Sequence, residues 1–158
     1  MIKIIVAITK DGVIGKDGAI PWHISDDLKL FKSLTKSGVV VMGRKTFESL
    51  NMPQGLPERT NIVITRRNDL ISSEGLTFAP NLDMVLKDGL DCFIIGGASI
   101  YKQVFSHADE LYISSICGEY EGDAYFPEIN WAAWGVAEAK DYPEFVFTKF
   151  VKRSCIRH

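Results

Sequence analysis

Four short runs of the chain are near-continuously apolar and rich in isoleucine and valine: residues 2–8, 39–42, 61–65 and 92–95. Runs of this kind suit strands covered on both faces, as in a parallel sheet. Between several of them lie segments of helical character, at residues 25–36, 45–50, 82–87 and 98–105, and Asn81 is placed to cap the third. Alternating strands and helices predict an α/β fold with a mainly parallel central sheet flanked by helices. The last third differs, with strand-like stretches at 111–116, 134–140 and 145–152 and no helix between them. Tyr142-Pro143-Glu144 is a turn signal, so an antiparallel hairpin is expected to close one edge of the sheet. At 158 residues the chain is expected to form a single domain over 1–158 with one real core.

Composition narrows the function classes. A net charge of -2 speaks against a general nucleic-acid binder, and support for one is limited to Arg66-Arg67 and the basic tail at 149–158. The three cysteines, Cys92, Cys117 and Cys155, form neither a Cys-x-x-Cys pair nor a disulfide framework, which suits a reducing cytoplasm. No apolar run approaches a membrane span, and the first eight residues are too short for a signal sequence and read better as a buried first strand. His107 and His158 suggest no metal site.

Three features carry chemistry. A helix starting near Ser25 sets Asp27 beside Phe31 and Leu34, a carboxylate among apolar side chains. Such a group is costly unless paired or used, although Ser25, Asp26 and Asp27 also suit a simple helix cap. Next, two strands run into glycine and then a helix start, at Gly43-Arg44-Lys45-Thr46 and Gly96-Gly97-Ala98-Ser99. Free backbone N–H groups and missing side chains there suit phosphate, and two such sites on one sheet suit a diphosphate. Neither is a P-loop or a full dinucleotide fingerprint. Finally, Arg44, Lys45, Arg66 and Arg67 add positive charge, and an arginine fork suits a further phosphate; a solvated loop tip is the plainer reading of Arg66-Arg67.

The spacing Val13-Ile14-Gly15, Ile20-Pro21-Trp22, Asp27, Phe31, Thr35 resembles the signature of the dihydrofolate reductase family. So do Met-Gly-Arg-x-Thr at 42–46, Ile-Gly-Gly at 95–97 followed by Tyr101, and Leu-Pro-x-Arg-x-Asn at 56–61. The resemblance covers nearly the whole chain. It implies reduction of 7,8-dihydrofolate by NADPH, with hydride passing to carbon 6 and a proton to nitrogen 5, in support of one-carbon and thymidylate metabolism. Asp27, Trp22 and Ile20 become the expected catalytic residues. Ile5, Ala7, Leu28, Phe31, Leu50, Leu56 and Ile95 would line the pterin slot, although each alone reads as ordinary core. Arg59 would fork onto the α-carboxylate of the glutamate tail, and Ser114, where the family commonly has threonine, would bond Asp27 and the pterin amino group. NADPH would meet Ala7, Ile14, Gly43, Arg44, Lys45, Thr46, Thr65, Arg66, Ile95, Gly96, Gly97, Ala98, Ser99, Ile100 and Tyr101. Arg44 would take the 2′-phosphate, and the Gly96–Gly97 bond would be cis. Ala98 replaces a common third glycine. The Gly-bearing loop at 9–24 would close over the nicotinamide, and Asp123 of Glu121-Gly122-Asp123 would contact it. The expected partners are small molecules, with no membrane or nucleic acid, and the expected state is a cytoplasmic monomer. A related pterin or aminopyrimidine reductase, or a non-catalytic nucleotide-binding or structural module on the same fold, are the alternatives.

Overall fold

A computed structural model describes residues 1–153; Cys155, His158 and the end of the basic tail lie outside the described residues. Ten strands and four α-helices alternate along the chain: β1 (Ile2–Thr9), β2 (Val13–Gly15), α1 (Ser25–Thr35), β3 (Val39–Gly43), α2 (Arg44–Ser49), β4 (Thr60–Ile64), β5 (Leu76–Ala79), α3 (Asp83–Leu86), β6 (Cys92–Gly96), α4 (Ala98–Val104), β7 (Glu110–Ile116), β8 (Ala124–Tyr125), β9 (Trp134–Asp141) and β10 (Phe145–Lys152). Eight strands form one sheet in the order β5-β4-β3-β6-β1-β7-β10-β9. All its pairings are parallel except the two made by β10, which runs antiparallel to β7 and β9. The fold is therefore the α/β arrangement read from the sequence, with its antiparallel hairpin at one edge.

Alternation along each strand divides the core in two. In β1, Ile2, Ile4 and Val6 enter one apolar cluster with Val41, Ile94, Leu111, Ile113 and α4. Ile5 and Ala7 enter the other, with Met42, Phe93, Tyr112 and Phe145. This is the period-two pattern of a strand with both faces covered. Burying each fully enclosed side chain, such as Ile4 or Ile94, stabilises the fold by about 1.5–3 kcal/mol.

The structure departs from the sequence reading in short elements. β5 has four residues at the sheet edge, too few to show a period. The loop at 9–24 contains β2, which pairs with β8 far along the chain. Helix α3 is reduced to Asp83–Leu86. Asn81 does accept a hydrogen bond from the Asp83 backbone N–H at 2.9 Å, one residue outside the cap position. The fourth helix ends at Val104 and gives way to a 3₁₀ turn over Phe105–His107.

Candidate active site

The carboxyl ends of β1, β3, β6 and β7 open on one edge of the sheet, where parallel α/β sheets place their ligands. Ala7 on β1 is in register with Ser114 on β7, so both face the cluster carrying α1. Across from them, α1 presents Asp27. Its start has no side-chain cap: the cap position is Ile24, with no side-chain hydrogen bond. The capping reading of Ser25, Asp26 and Asp27 is thus not the one realised. Instead Ser114 Oγ donates to Asp27 Oδ1 at 2.6 Å. Burial pushes the Asp27 carboxyl above its ordinary range, and the Ser114 bond pulls back against it.

Ile5, Ala7, Phe31, Leu50, Leu56 and Ile95 collect in the same cluster as Trp22. Of these only Ile5 and Trp22 are buried; the other five are partly exposed. These five pack at the margin of the core, with part of each side chain open to solvent. Leu28, beside Asp27 on the helix, is 44% exposed. Ile20 is 60% exposed, so it stands in solvent rather than against Asp27. Ile14 packs on the opposite cluster.

Arg59 lies against the last turn of α1. Its Nε donates to Thr35 Oγ1 at 3.0 Å, Nη1 to Pro57 O at 2.6 Å and Nη2 to Lys32 O at 2.8 Å. Three of its five N–H donors are used, leaving one on each terminal nitrogen, the fork that matches a carboxylate. Buried Asn61 holds the preceding loop: its Oδ1 accepts from Leu56 N, and its Nδ2 donates to the carbonyls of Leu56, Arg59 and Gly75. Gly55, with φ +78°, leaves room for this amide, because a Cβ there would fall 2.5 Å from Asn61 Cγ. Sequence reasoning missed Thr35 and Asn61 as supports of Arg59. Their only signal was membership of the quoted motifs.

The two glycine turns meet each other. A Cβ at Gly43 would sit 3.1 Å from Ile100 Cγ1, and one at Gly97 would sit 3.4 Å from Thr46 Oγ1. The Gly96–Gly97 peptide is cis. Ala98 opens α4 without a positive φ, so alanine suits that position. Beneath the turn, the Tyr101 hydroxyl donates to Ile5 O at 2.8 Å, a buried strut between the glycine pair and β1. Burial raises its phenol. Ser99 faces solvent and accepts from Gln103 Nε2. Thr65 is buried, and its Oγ1 accepts from Arg67 N at 3.1 Å. Arg66 and Lys45 are exposed. Arg44 contacts Glu48, and Arg67 contacts Asp69.

The loop at 9–24 is tied to the loop at 117–123. Asp123 accepts from Asp17 N, Lys16 pairs with Glu121 at 3.3 Å, and the Trp22 ring meets Tyr120 edge-on at 5.2 Å. Gly122 is closed in between them: a Cβ would meet Gly15 O at 2.7 Å. Tyr120 was not singled out from the sequence, since a lone exposed tyrosine carries no signal.

Comparison with known proteins agrees with this arrangement. The family model described as Dihydrofolate reductase matches residues 1–151. The dihydrofolate reductase of Bacillus subtilis is 38% identical over 164 residues, covering 98% of this chain and 96% of that one. That of Haemophilus influenzae is 41% identical over 137 residues, covering 85% and 83%. The solved dihydrofolate reductase of Enterococcus faecalis, complexed with NADP(H) and RAB-propyl, superposes with a TM-score of 0.84 at 32% identity, covering 98% of this chain and 97% of that one. Matching that family in both sequence and fold, the chain belongs to the dihydrofolate reductase family.

Proposed function

We propose that this chain reduces 7,8-dihydrofolate to 5,6,7,8-tetrahydrofolate with NADPH, using Asp27 to orient and polarise the pterin. The observation that carries this reading is the Ser114–Asp27 hydrogen bond on the sheet face that also gathers the partly buried Ala7, Phe31, Leu50, Leu56 and Ile95. As a carboxylate, Asp27 only accepts, so Ser114 spends its one proton on Oδ1 and turns lone pairs outward. Asp27 and Ser114 together then offer acceptors to the amino group and neighbouring ring nitrogen of a pterin. Ile5, Ala7, Leu28, Phe31, Leu50, Leu56 and Ile95 flank the flat ring, and the two free N–H groups of Arg59 hold the α-carboxylate of the tail.

The residues present suit the cofactor: an added Cβ at Gly43 would fall 3.1 Å from Ile100 Cγ1, and Gly96, at φ +127°, holds a backbone that favours glycine. Gly43, Thr46 and Gly96 to Ser99 hold the diphosphate, with Lys45 and Thr65 alongside. Arg44 and Arg66 take the 2′-phosphate, and Ala7, Ile14, Ile95, Ile100 and Tyr101 position the nicotinamide half. Bound NADPH supplies the hydride that carbon 6 accepts. The negative charge of the Asp27 carboxylate favours the protonated pterin, and nitrogen 5 receives its proton through water. Trp22 and Ile20 close with the loop at 9–24 and exclude bulk water.

The chain acts as one domain over 1–158 and as a monomer. Supporting the monomer, one sheet edge is the four-residue β5 and the other is β9, with exposed Glu138, Lys140 and Asp141, which resist edge pairing. A reducing cytoplasm suits the thiols: Cys92 and Cys117 are both free, and burial pushes the Cys92 thiol up to about 11. Among the described residues no helix is long and apolar enough to cross a membrane.

The test is the loss of nicotinamide absorbance with dihydrofolate and NADPH present, against Asp27→Asn. Oxidation that requires both substrates and Asp27 supports the reading. Binding of both ligands without turnover would replace it with a non-catalytic role.

A further inference from the structure

Two of the cations at the cofactor end, Arg44 and Arg67, are paired with carboxylates. Arg44 Nη1 donates to both carboxylate oxygens of Glu48, at 3.0 and 2.9 Å, one helical turn further along α2. Arg67 forks onto Asp69 through Nε at 3.0 Å and Nη2 at 2.6 Å. Glu48 also lies near enough to Arg67 for its charge to be felt there.

We infer that Glu48 is a specificity-determining residue: it competes with the adenosine 2′-phosphate for Arg44 and so limits the preference for NADPH over NADH. This rests on the reading that Arg44 takes the 2′-phosphate. A 2′-phosphate brings nearly two negative charges to a guanidinium whose charge Glu48 already offsets. Either the Glu48 contact gives way, or both anions share one cation and repel each other. NADH brings no charge to that point and leaves the pair undisturbed. The pair is surface-exposed, 36% for Arg44 and 51% for Glu48, and exposed ion pairs are weak. Glu48 therefore tempers the preference rather than abolishing it. Arg67 commits two of its nitrogens, Nε and Nη2, to Asp69, whereas Arg44 commits Nη1 alone to Glu48, so Arg67 is the less available cation.

Glu48→Gln separates charge from contact, because its amide oxygen still accepts from Nη1. The experiment titrates NADPH, NADH and adenosine 2′-monophosphate into the parent, Glu48→Gln and Arg44→Ala proteins. Glu48→Gln is expected to bind NADPH and adenosine 2′-monophosphate about two- to fivefold more tightly, with NADH unchanged. Unchanged or weaker NADPH binding, or an equal gain for NADH, overturns the inference. Weaker binding would mean that the Glu48 charge positions Arg44 instead. The Arg44→Ala arm keeps the two claims apart. A selective loss of NADPH there, with no gain in Glu48→Gln, removes the role of Glu48 alone. An equal loss of both cofactors removes the 2′-phosphate reading of Arg44 and the inference with it.

Discussion

Arg59 and Arg44 are both cations offered to an anionic ligand, yet they are held in opposite ways. Arg59 is braced by a hydroxyl and two carbonyls, all neutral acceptors. They fix its direction and leave its full charge for the ligand. Its loop is pinned in turn by the buried amide of Asn61. Arg44 sits on the six-residue helix α2 and is braced by a carboxylate, which fixes direction while offsetting charge. On the proposed reading, the Arg59 guanidinium already holds its direction at full charge, whereas Arg44 meets its ligand with its charge offset by Glu48. Preorganisation of the first kind avoids an ordering cost at the moment of association.

That contrast can be tested from the strongest effect downward. At the substrate end, Asp27→Asn should lower turnover about 10²- to 10⁴-fold while leaving NADPH binding intact in a fluorescence titration. Parent-like turnover at neutral pH would remove Asp27 from its role. Arg59→Ala should raise the KM for dihydrofolate roughly 10- to 100-fold with kcat little changed, the signature of lost uniform binding. A pterin without a glutamate tail should not distinguish this variant from the parent; if it does, the fork serves something other than the tail. Arg44→Ala should weaken NADPH by roughly tenfold and NADH hardly at all, with the difference shrinking at high salt. A salt-independent difference would mean the contact is not a charge contact. Thr35→Val removes one neutral brace from Arg59. It should raise the KM for dihydrofolate a few-fold, about 1 kcal/mol, and a KM equal to the parent's would show that the carbonyls suffice.

The smallest effect concerns stability. Burial raises the Asp27 carboxyl above its ordinary 3.8, so the native protein retains a proton there that the unfolded chain releases. Its contribution to stability is fully present below pH 3.8 and is lost as pH rises through the folded value. Asp27→Asn should therefore be at least as stable as the parent at neutral pH, with the gap closing toward acidic pH, in paired denaturant melts. A gap that widens in acid would mean the Ser114 bond outweighs burial.

Much of this was legible in the chain because the relevant signals are local. The isoleucine and valine runs specify buried strands without reference to anything distant. Asp27 stands out because a charge interrupts an apolar helix stripe, and the two glycine turns stand out because each follows an apolar run. What was not legible depends on partners far along the chain. The braces on Arg59 come from Thr35 and Lys32, and β2 finds β8 only across the closed fold. A three-residue strand has no period to read. Exposure was equally hidden: Leu28 and Ile20 look as apolar as their buried neighbours, and only the assembled fold shows them 44% and 60% exposed.

On the proposed reading, a ligand seated on the partly exposed side chains near Asp27 also adds to the stability of the fold. Phe31, Leu50, Leu56 and Ile95 keep apolar surface in contact with water, surface that a flat aromatic ligand removes. A molecule that binds only the folded form stabilises it by about 2.7 kcal/mol at a hundred times its Kd. A tight inhibitor seated in the slot therefore shields from unfolding and proteolysis the very protein it disables. Cells treated with one would be expected to accumulate the blocked enzyme rather than clear it.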